Sequence, residues 1–120
     1  MRVLGFAKKW SKLQKSIHTT FRFPRKDSDR GYDWHIGEVV QEVYHTRCAD
    51  REILGIAEIV NKEPKRVCDI TDEESVEDGF PNGKSEMIEW LAKEHHCNSS
   101  VMMNNTINKL TLRKSGGITR

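Results

Sequence analysis

The alternating stretch at residues 17–23, which reads IHTTFRF, indicates how the N-terminal part of this chain folds. Successive side chains of a β-strand point to opposite faces of a sheet, so His18, Thr20 and Arg22 share one face while both phenylalanines share the other. Such a strand buries its aromatic face and presents its polar face. A proline ends the strand, and the polar, turn-rich residues 25–32 follow as a loop.

The segments around this strand carry further strand and helix patterns. A short apolar segment precedes it, and valine- and isoleucine-rich segments follow it. A capping-box pattern from Thr71 to Glu74 starts one helix, Gly79 stops it, and Ser85 is the expected cap of the next. The predicted strands are 2–7, 17–23, 38–45, 52–60 and 106–113, with a further extended segment at 64–70, and the predicted helices are 10–15, 72–78 and 85–95.

This order of elements predicts an α+β fold. The strands form a mixed sheet that closes most economically as a small β-barrel with two to three short helices at its edge. A chain of 120 residues has room for one domain, which we assign to residues 1–114, with residues 115–120 as a frayed C-terminal tail. Gly55, inside the strongest strand, predicts a bulge or a close approach by another backbone.

Composition describes a polar globular protein. Hydrophobic residues are 36% of the chain, charged residues are 32%, and the net charge is +2, which excludes a wholly basic coat protein and a highly charged disordered tail. No stretch approaches the roughly 18 apolar residues of a membrane helix, and the first apolar run, residues 3–7, is too short for a signal peptide. Three cysteines without C-x-x-C spacing argue against a disulfide framework, so we expect a cytoplasmic protein.

One combination of residues has the composition of a zinc site. It consists of Cys68 and the run His95-His96-Cys97. Adjacent ligands rarely surround one tetrahedral ion, and no second ligand pair is evident. We therefore expect buried free thiols and a polar helix end, with no metal and no cofactor.

Charge is segregated along the chain. The first 30 residues contain nine basic and two acidic side chains, whereas residues 71–94 contain eight acidic and two basic ones. Such asymmetry can make one face of a small protein attractive to polyanions. The alternative is that two solvated faces attract each other. The basic quarter predicts weak, salt-sensitive binding of single-stranded RNA.

Three short motifs occur in order along these elements. Residues 15–22 read KSIHTTFR, residues 34–38 read WHIGE, and residues 77–80 read EDGF ahead of the helix at 85–91. Together with the order of the elements, they resemble the ASCH family, a branch of the PUA-like β-barrels, over residues 2–113.

The first of these motifs has the form G-x-K-x-x-T-x-R in the family. Thr20 and Arg22 match its end, whereas Lys15 stands where glycine is usual and Ile17 stands where lysine is usual. The resemblance implies an RNA-facing barrel with a cleft near the T-x-R strand. One bacterial branch of the family hydrolyses the acetyl amide of acetylcytidine with the lysine and threonine of this motif and a carboxylate near the helix junction. The corresponding positions here are Ile17, Thr20 and Asp78.

Isoleucine at position 17 bears directly on catalysis. A threonine hydroxyl needs an adjacent base or a neighbouring cation to attack an amide, and isoleucine supplies neither. His18 is the substitute base that the strand alternation suggests. The catalytic candidates are therefore His18, Thr20 and Asp78. The nucleic-acid-binding candidates are Lys12, Lys15, His18, Thr20, Arg22, Arg25, Lys26 and Trp34.

Each candidate has a structural alternative. Thr20 and Arg22 can be an ordinary outward strand pair, Asp78 can serve as the ion-pair partner of Arg22, and Trp34 can plug the mouth of a barrel. Three functions follow from these readings. We expect a non-catalytic RNA-binding module, with a small hydrolase of modified nucleosides or RNA as the alternative and a protein adaptor using the acidic residues 72–94 as the third.

Overall fold

The computed structural model describes residues 2–6, 10, 15–24, 33–46 and 48–114, and the architecture is that of these residues. They form an α+β fold with one five-stranded mixed sheet and three helices, which confirms the predicted class. The strands are β1 (Arg2–Phe6), β2 (Ile17–Arg22), β3 (Val39–Tyr44), β4 (Glu52–Arg66) and β5 (Thr106–Lys114), and the helices are α1 (Asp72–Asp78), α2 (Lys84–Glu94) and α3 (Ser99–Met103). Most of the helix predicted at 10–15 lies outside the described residues.

The sheet has the strand order β1-β3-β4-β5-β2. Strand β1 runs parallel to β3, and the other pairs are antiparallel. The extended segment predicted at 64–70 is extended only to residue 66 and is not a separate strand. Residues 64–66 continue β4, where Pro64 pairs with Asn108, and a 3-10 turn at Val67–Asp69 follows.

Two bulges bend β4, the longest strand. Leu54 is the extra residue opposite the Glu42–Val43 step of β3, next to Gly55 with a φ of 148°, and Val60 is the extra residue opposite β5. The bulge predicted at Gly55 is therefore confirmed. Bulges increase the twist of a strand and bend it.

The sheet curls enough to bring its two edges together. The guanidinium carbon of Arg22 on β2 lies 4.7 Å from the centre of the Phe6 ring on β1. Within the described ranges, however, no hydrogen bonds join β1 to β2. The sheet is open there, and the predicted closure into a barrel is not confirmed.

The apolar residues form two clusters. The helix-side cluster packs α2 and α3 against the sheet around Phe21, Phe80 and Met87. The sheet-side cluster forms among side chains of the strands around Leu4 and Leu110. Trp10 packs against both clusters, so the boundary between them lies beside its ring.

The ends of the helices have different kinds of caps. The capping box of α1 is confirmed, because the Glu74 amide donates to Thr71 Oγ1 and the Thr71 amide donates to Glu74 Oε1. The cap predicted at Ser85 is wrong, because α2 starts at Lys84 after Gly83. The Lys84 amide instead donates to Asp72 Oδ1 at 2.8 Å, so a residue of α1 caps α2. None of the helices in the described part of the chain is long and apolar enough to span a membrane.

Glu74 is also the centre of an ion-pair network. Its Oε2 accepts hydrogen bonds from Lys65 Nζ at 2.8 Å and from Lys109 Nζ at 2.9 Å. Burial raises the pKa of Glu74, but these bonds and the Thr71 amide outweigh it and lower the pKa from 4.5 to about 2. Because the folded-state pKa is depressed, this stabilisation is complete above the unfolded pKa and disappears as the pH falls towards 2.

The substitution Glu74→Gln is expected to lower the free energy of unfolding near neutral pH by about 1–2 kcal/mol, after allowance for solvent screening. The difference from the native chain should shrink as the pH falls from about 4.5 to about 2. Urea unfolding across this range measures it, with the exposed Glu73→Gln as a control of equal charge change. A difference that stays constant with pH would contradict the ion-pair explanation.

Candidate functional site

A cavity of about 400 Å³ opens between the curled sheet and the helices. Residues of both apolar clusters line it: Phe6 belongs to the sheet-side cluster, and Phe80 and Met87 belong to the helix-side cluster. All three tryptophans of the chain line it: Trp10, Trp34 and Trp90. The cavity is therefore an aromatic-walled pocket of the size that small organic ligands occupy.

Strand β2 contributes polar side chains to this cavity. Thr20 and Arg22 both line it, as residues two apart on one strand face, and Arg22 Nε donates a hydrogen bond to Thr20 Oγ1 at 3.2 Å. Phe21, on the other face, is buried in the helix-side cluster and also reaches the cavity wall. The strand thus places a hydroxyl and a guanidinium side by side at the cavity.

The end of α1 brings in a carboxylate. Asp78 is the last residue of α1, is buried, and lines the cavity. Gly79 follows with a φ of 120°, and a Cβ added to it would lie 2.6 Å from the Trp10 ring. Only glycine meets both conditions, the left-handed backbone and the close approach. The Asp-Gly-Phe step therefore ends α1, seats Trp10, and holds Asp78 and Phe80 at the cavity.

Arg22 lies in a buried electrostatic environment. Burial lowers its pKa from 12.5 to about 10, although the charges of Asp78 and Glu42 act in the opposite direction. At neutral pH the guanidinium is still a cation. It lies over the Phe6 ring, an arrangement that favours a cation through the ring quadrupole. The cavity thus contains a fixed positive group next to a fixed carboxylate.

His18 shares a strand face with Thr20 but does not line the cavity. Its side chain is fully buried, its Nε2 lies 2.6 Å from Glu42 Oε2, and its Nδ1 lies 3.3 Å from the Lys15 carbonyl oxygen. Both ring nitrogens are therefore engaged, and neither is available to accept a proton from Thr20. Glu42 was not among the residues expected from the sequence, since it is a charged residue within a valine-rich strand whose partner lies 24 positions away.

The remaining candidate residues from the sequence, where the structure describes them, do not lie together at the cavity. Lys15 is exposed at the start of β2, and Ile17 is 56% exposed on the strand face opposite Thr20. Trp34 lines the cavity but is only 5% exposed, with the Arg2 guanidinium 4.6 Å from its ring centre. This placement favours a wall or plug over an open stacking surface. Lys12, Arg25 and Lys26 lie outside the described residues.

The aromatic partners of the cavity were not expected from the sequence either. Trp10 lies 5.2 Å from Phe80 and 5.7 Å from Trp90, measured between ring centres, and the Trp10–Trp90 pair is edge-to-face. Trp10 lies 70 or more positions from the other two rings and Phe80 lies outside any helix or strand, so no local spacing reveals that the three meet.

Comparison with known proteins returned no match to this chain, whether among protein-family models, curated proteins or solved structures.

Proposed function

We propose that this chain is an ASCH-type, PUA-like module that binds single-stranded RNA by holding a nucleobase in the cavity beside Thr20 and Arg22. The observation that supports this proposal is the cavity, in which aromatic walls surround a guanidinium, a hydroxyl and a carboxylate. The contact between Arg22 and Phe6 across the open edges of the sheet supports the barrel-like architecture of that family.

The chemistry of the cavity suits a base better than a phosphate. A phosphate only accepts hydrogen bonds, and the Asp78 carboxylate would repel it. A base edge carries both donors and acceptors, which complement Asp78 and Arg22 respectively. A base stacked on an aromatic side chain gains about 1–3 kcal/mol with little dependence on sequence. The ligand that best fits is therefore an unpaired nucleobase.

The basic N-terminal quarter supplies the second part of the proposed interface. Lys15 is exposed where β2 begins, and Lys12, Arg25 and Lys26 flank β2 in sequence. Contacts of such side chains with the RNA backbone release counterions, so the affinity should fall steeply with added salt. We place this function in the cytoplasm, as the cysteine content suggests.

A small hydrolase acting on modified nucleosides or RNA is the alternative function. Thr20 lies at the cavity beside a cation, as a nucleophile would require. His18, the substitute base expected from the sequence, does not serve Thr20, because Glu42 and Lys15 engage both of its ring nitrogens. The Asp78 carboxylate of the cavity acts on the charge of Arg22. We therefore favour binding without catalysis.

Tryptophan fluorescence tests the binding proposal directly, because every tryptophan of the chain lines the cavity. Titration with a single-stranded RNA oligonucleotide of mixed sequence is expected to quench the emission. The substitution Arg22→Lys keeps the charge but loses the planar donor fork, so it should cost about 1–3 kcal/mol, or about 5- to 150-fold in Kd.

The matched control is Arg113→Lys, the same substitution at an exposed position on β5. It should bind as the native chain does, and thermal unfolding should show that both variants fold. Absence of quenching, or equal Kd values for the native chain and Arg22→Lys, would refute binding at the cavity.

A further inference from the structure

The loop between β3 and β4 brings together three side chains that ligate metals. His45, Cys48 and Asp50 have their ligating atoms within 4.8 Å of one another, and we call them the loop cluster. The closest pair is His45 Nδ1 and Asp50 Oδ2, at 3.0 Å. None of the three residues lines the cavity, so metal binding there does not depend on the proposed function.

Backbone hydrogen bonds hold this loop in place. The His45 amide donates to the Phe6 carbonyl at 3.0 Å, the Cys48 amide donates to the His45 carbonyl at 3.0 Å, and the Arg51 amide donates to the Cys48 carbonyl at 3.1 Å. Two successive turns therefore carry the chain from His45 to Arg51 and tie the loop to β1. The three side chains converge because of these turns.

The backbone conformation of His45 and the neighbouring Tyr44 ring also restrain the His45 side chain. The His45 backbone has a φ of 50°, in the left-handed region that few residues other than glycine adopt. The ring stacks on Tyr44, with 3.8 Å between ring centres and 18° between planes. These restraints keep Nδ1 directed towards Asp50, so metal binding requires little reordering of the histidine.

We propose that His45 Nδ1, the Cys48 thiolate and the Asp50 carboxylate bind one Zn²⁺ ion, with the fourth position open to water or an external ligand. Zinc binds nitrogen, sulfur and oxygen ligands at about 2.0–2.3 Å, which places tetrahedral ligands about 3.5 Å apart. The observed limit of 4.8 Å requires shifts of about an ångström, which the exposed Cys48 and Asp50 side chains can make.

The donor set selects the class of metal. Calcium and magnesium need several oxygen ligands, and the loop cluster supplies one carboxylate. Thiolate and imidazole favour zinc and other borderline or soft divalent ions. The neighbouring Arg51 is exposed and positive, so charge alone would not retain a hard cation here.

The test uses the full-length, reduced, metal-free chain. Zinc titrated in competition with a chromophoric chelator should bind with a stoichiometry of one per chain, unaffected by excess magnesium or calcium. Cobalt(II) in place of zinc should give four-coordinate visible bands and a thiolate-to-metal charge-transfer band. In Cys48→Ser the charge-transfer band should disappear, and in both Cys48→Ser and His45→Asn the zinc affinity should fall at least about tenfold.

The control variants change the run His95-His96-Cys97, which also contains metal-binding residue types. Cys97→Ser and the double variant His95→Gln/His96→Gln should keep the native zinc affinity and the native cobalt spectrum. Asparagine replaces His45 because it tolerates the left-handed backbone. Absence of stoichiometric zinc binding, a native cobalt complex without the thiolate band, equal affinity in Cys48→Ser, or loss of affinity in Cys97→Ser would each overturn the proposal.

Discussion

Replacement of Glu42 by leucine is expected to lower the free energy of unfolding by about 3–5 kcal/mol, the largest loss of stability that we predict for a single substitution. Both side chains of the His18–Glu42 pair are fully buried, with 2.6 Å between Nε2 and Oε2. Removal of the glutamate leaves His18 buried without this partner. A buried polar group that loses its partner carries its full desolvation cost.

The geometry shows why the two side chains act as a unit. The Lys15 carbonyl can only accept, so His18 Nδ1 carries a hydrogen atom, and the short contact between Nε2 and Glu42 Oε2 must hold one more proton. Whichever of the two side chains formally carries that proton, neither is satisfied without the other. Glu42 Oε1 has no hydrogen-bond partner among the described residues, so the pair already contains one buried acceptor that is unsatisfied.

A double-mutant cycle tests this prediction by urea unfolding at fixed pH. His18→Leu/Glu42→Leu should recover most of the loss, because apolar replacement of a whole buried pair is often neutral. The control is Glu58→Leu, which breaks the exposed Glu58–Arg113 pair at 3.1 Å and should cost no more than about 1 kcal/mol. Equal losses for the Glu42 and Glu58 variants, or a double variant less stable than either single one, would contradict the prediction.

The native chain is expected to release little or no acetate from acetylcytidine. A missing general base costs about 10²–10⁴-fold in rate. His18 has both ring nitrogens engaged, and Ile17 lies exposed on the strand face opposite Thr20. The Thr20 hydroxyl accepts a hydrogen bond from Arg22, which does not remove its proton. The two positions that the sequence offers for the base, 17 and 18, therefore supply no proton acceptor to Thr20.

A product assay across about pH 5–9 tests this expectation, with Thr20→Ala as the background. The two proteins should release acetate at the same rate. We also expect no gain in Ile17→Lys, because the strand alternation directs a lysine there away from Thr20. Turnover by the native chain that disappears in Thr20→Ala would overturn the binding proposal. Turnover that appears in Ile17→Lys would show that the cavity lacks only its base.

Local features of the structure could be predicted from the sequence. The capping box of Thr71 and Glu74 is confirmed, and so is the bulge beside Gly55. The alternation along β2 places Thr20 and Arg22 together at the cavity and buries Phe21. Each of these features depends on residues a few positions apart, where backbone geometry alone determines which side chains meet.

Contacts between distant segments were decided only by the tertiary structure. The strand alternation suggests His18 as a base for Thr20, but its pairing with Glu42 makes it unavailable for that role. The cap of α2 comes from Asp72, which belongs to another helix. The rings of Trp10, Phe80 and Trp90 come from separate segments of the chain, and they meet at the wall of the cavity. The physical reason is that the curl of the sheet and the packing of helices on it bring these groups together, and a local pattern carries no information about such long-range packing.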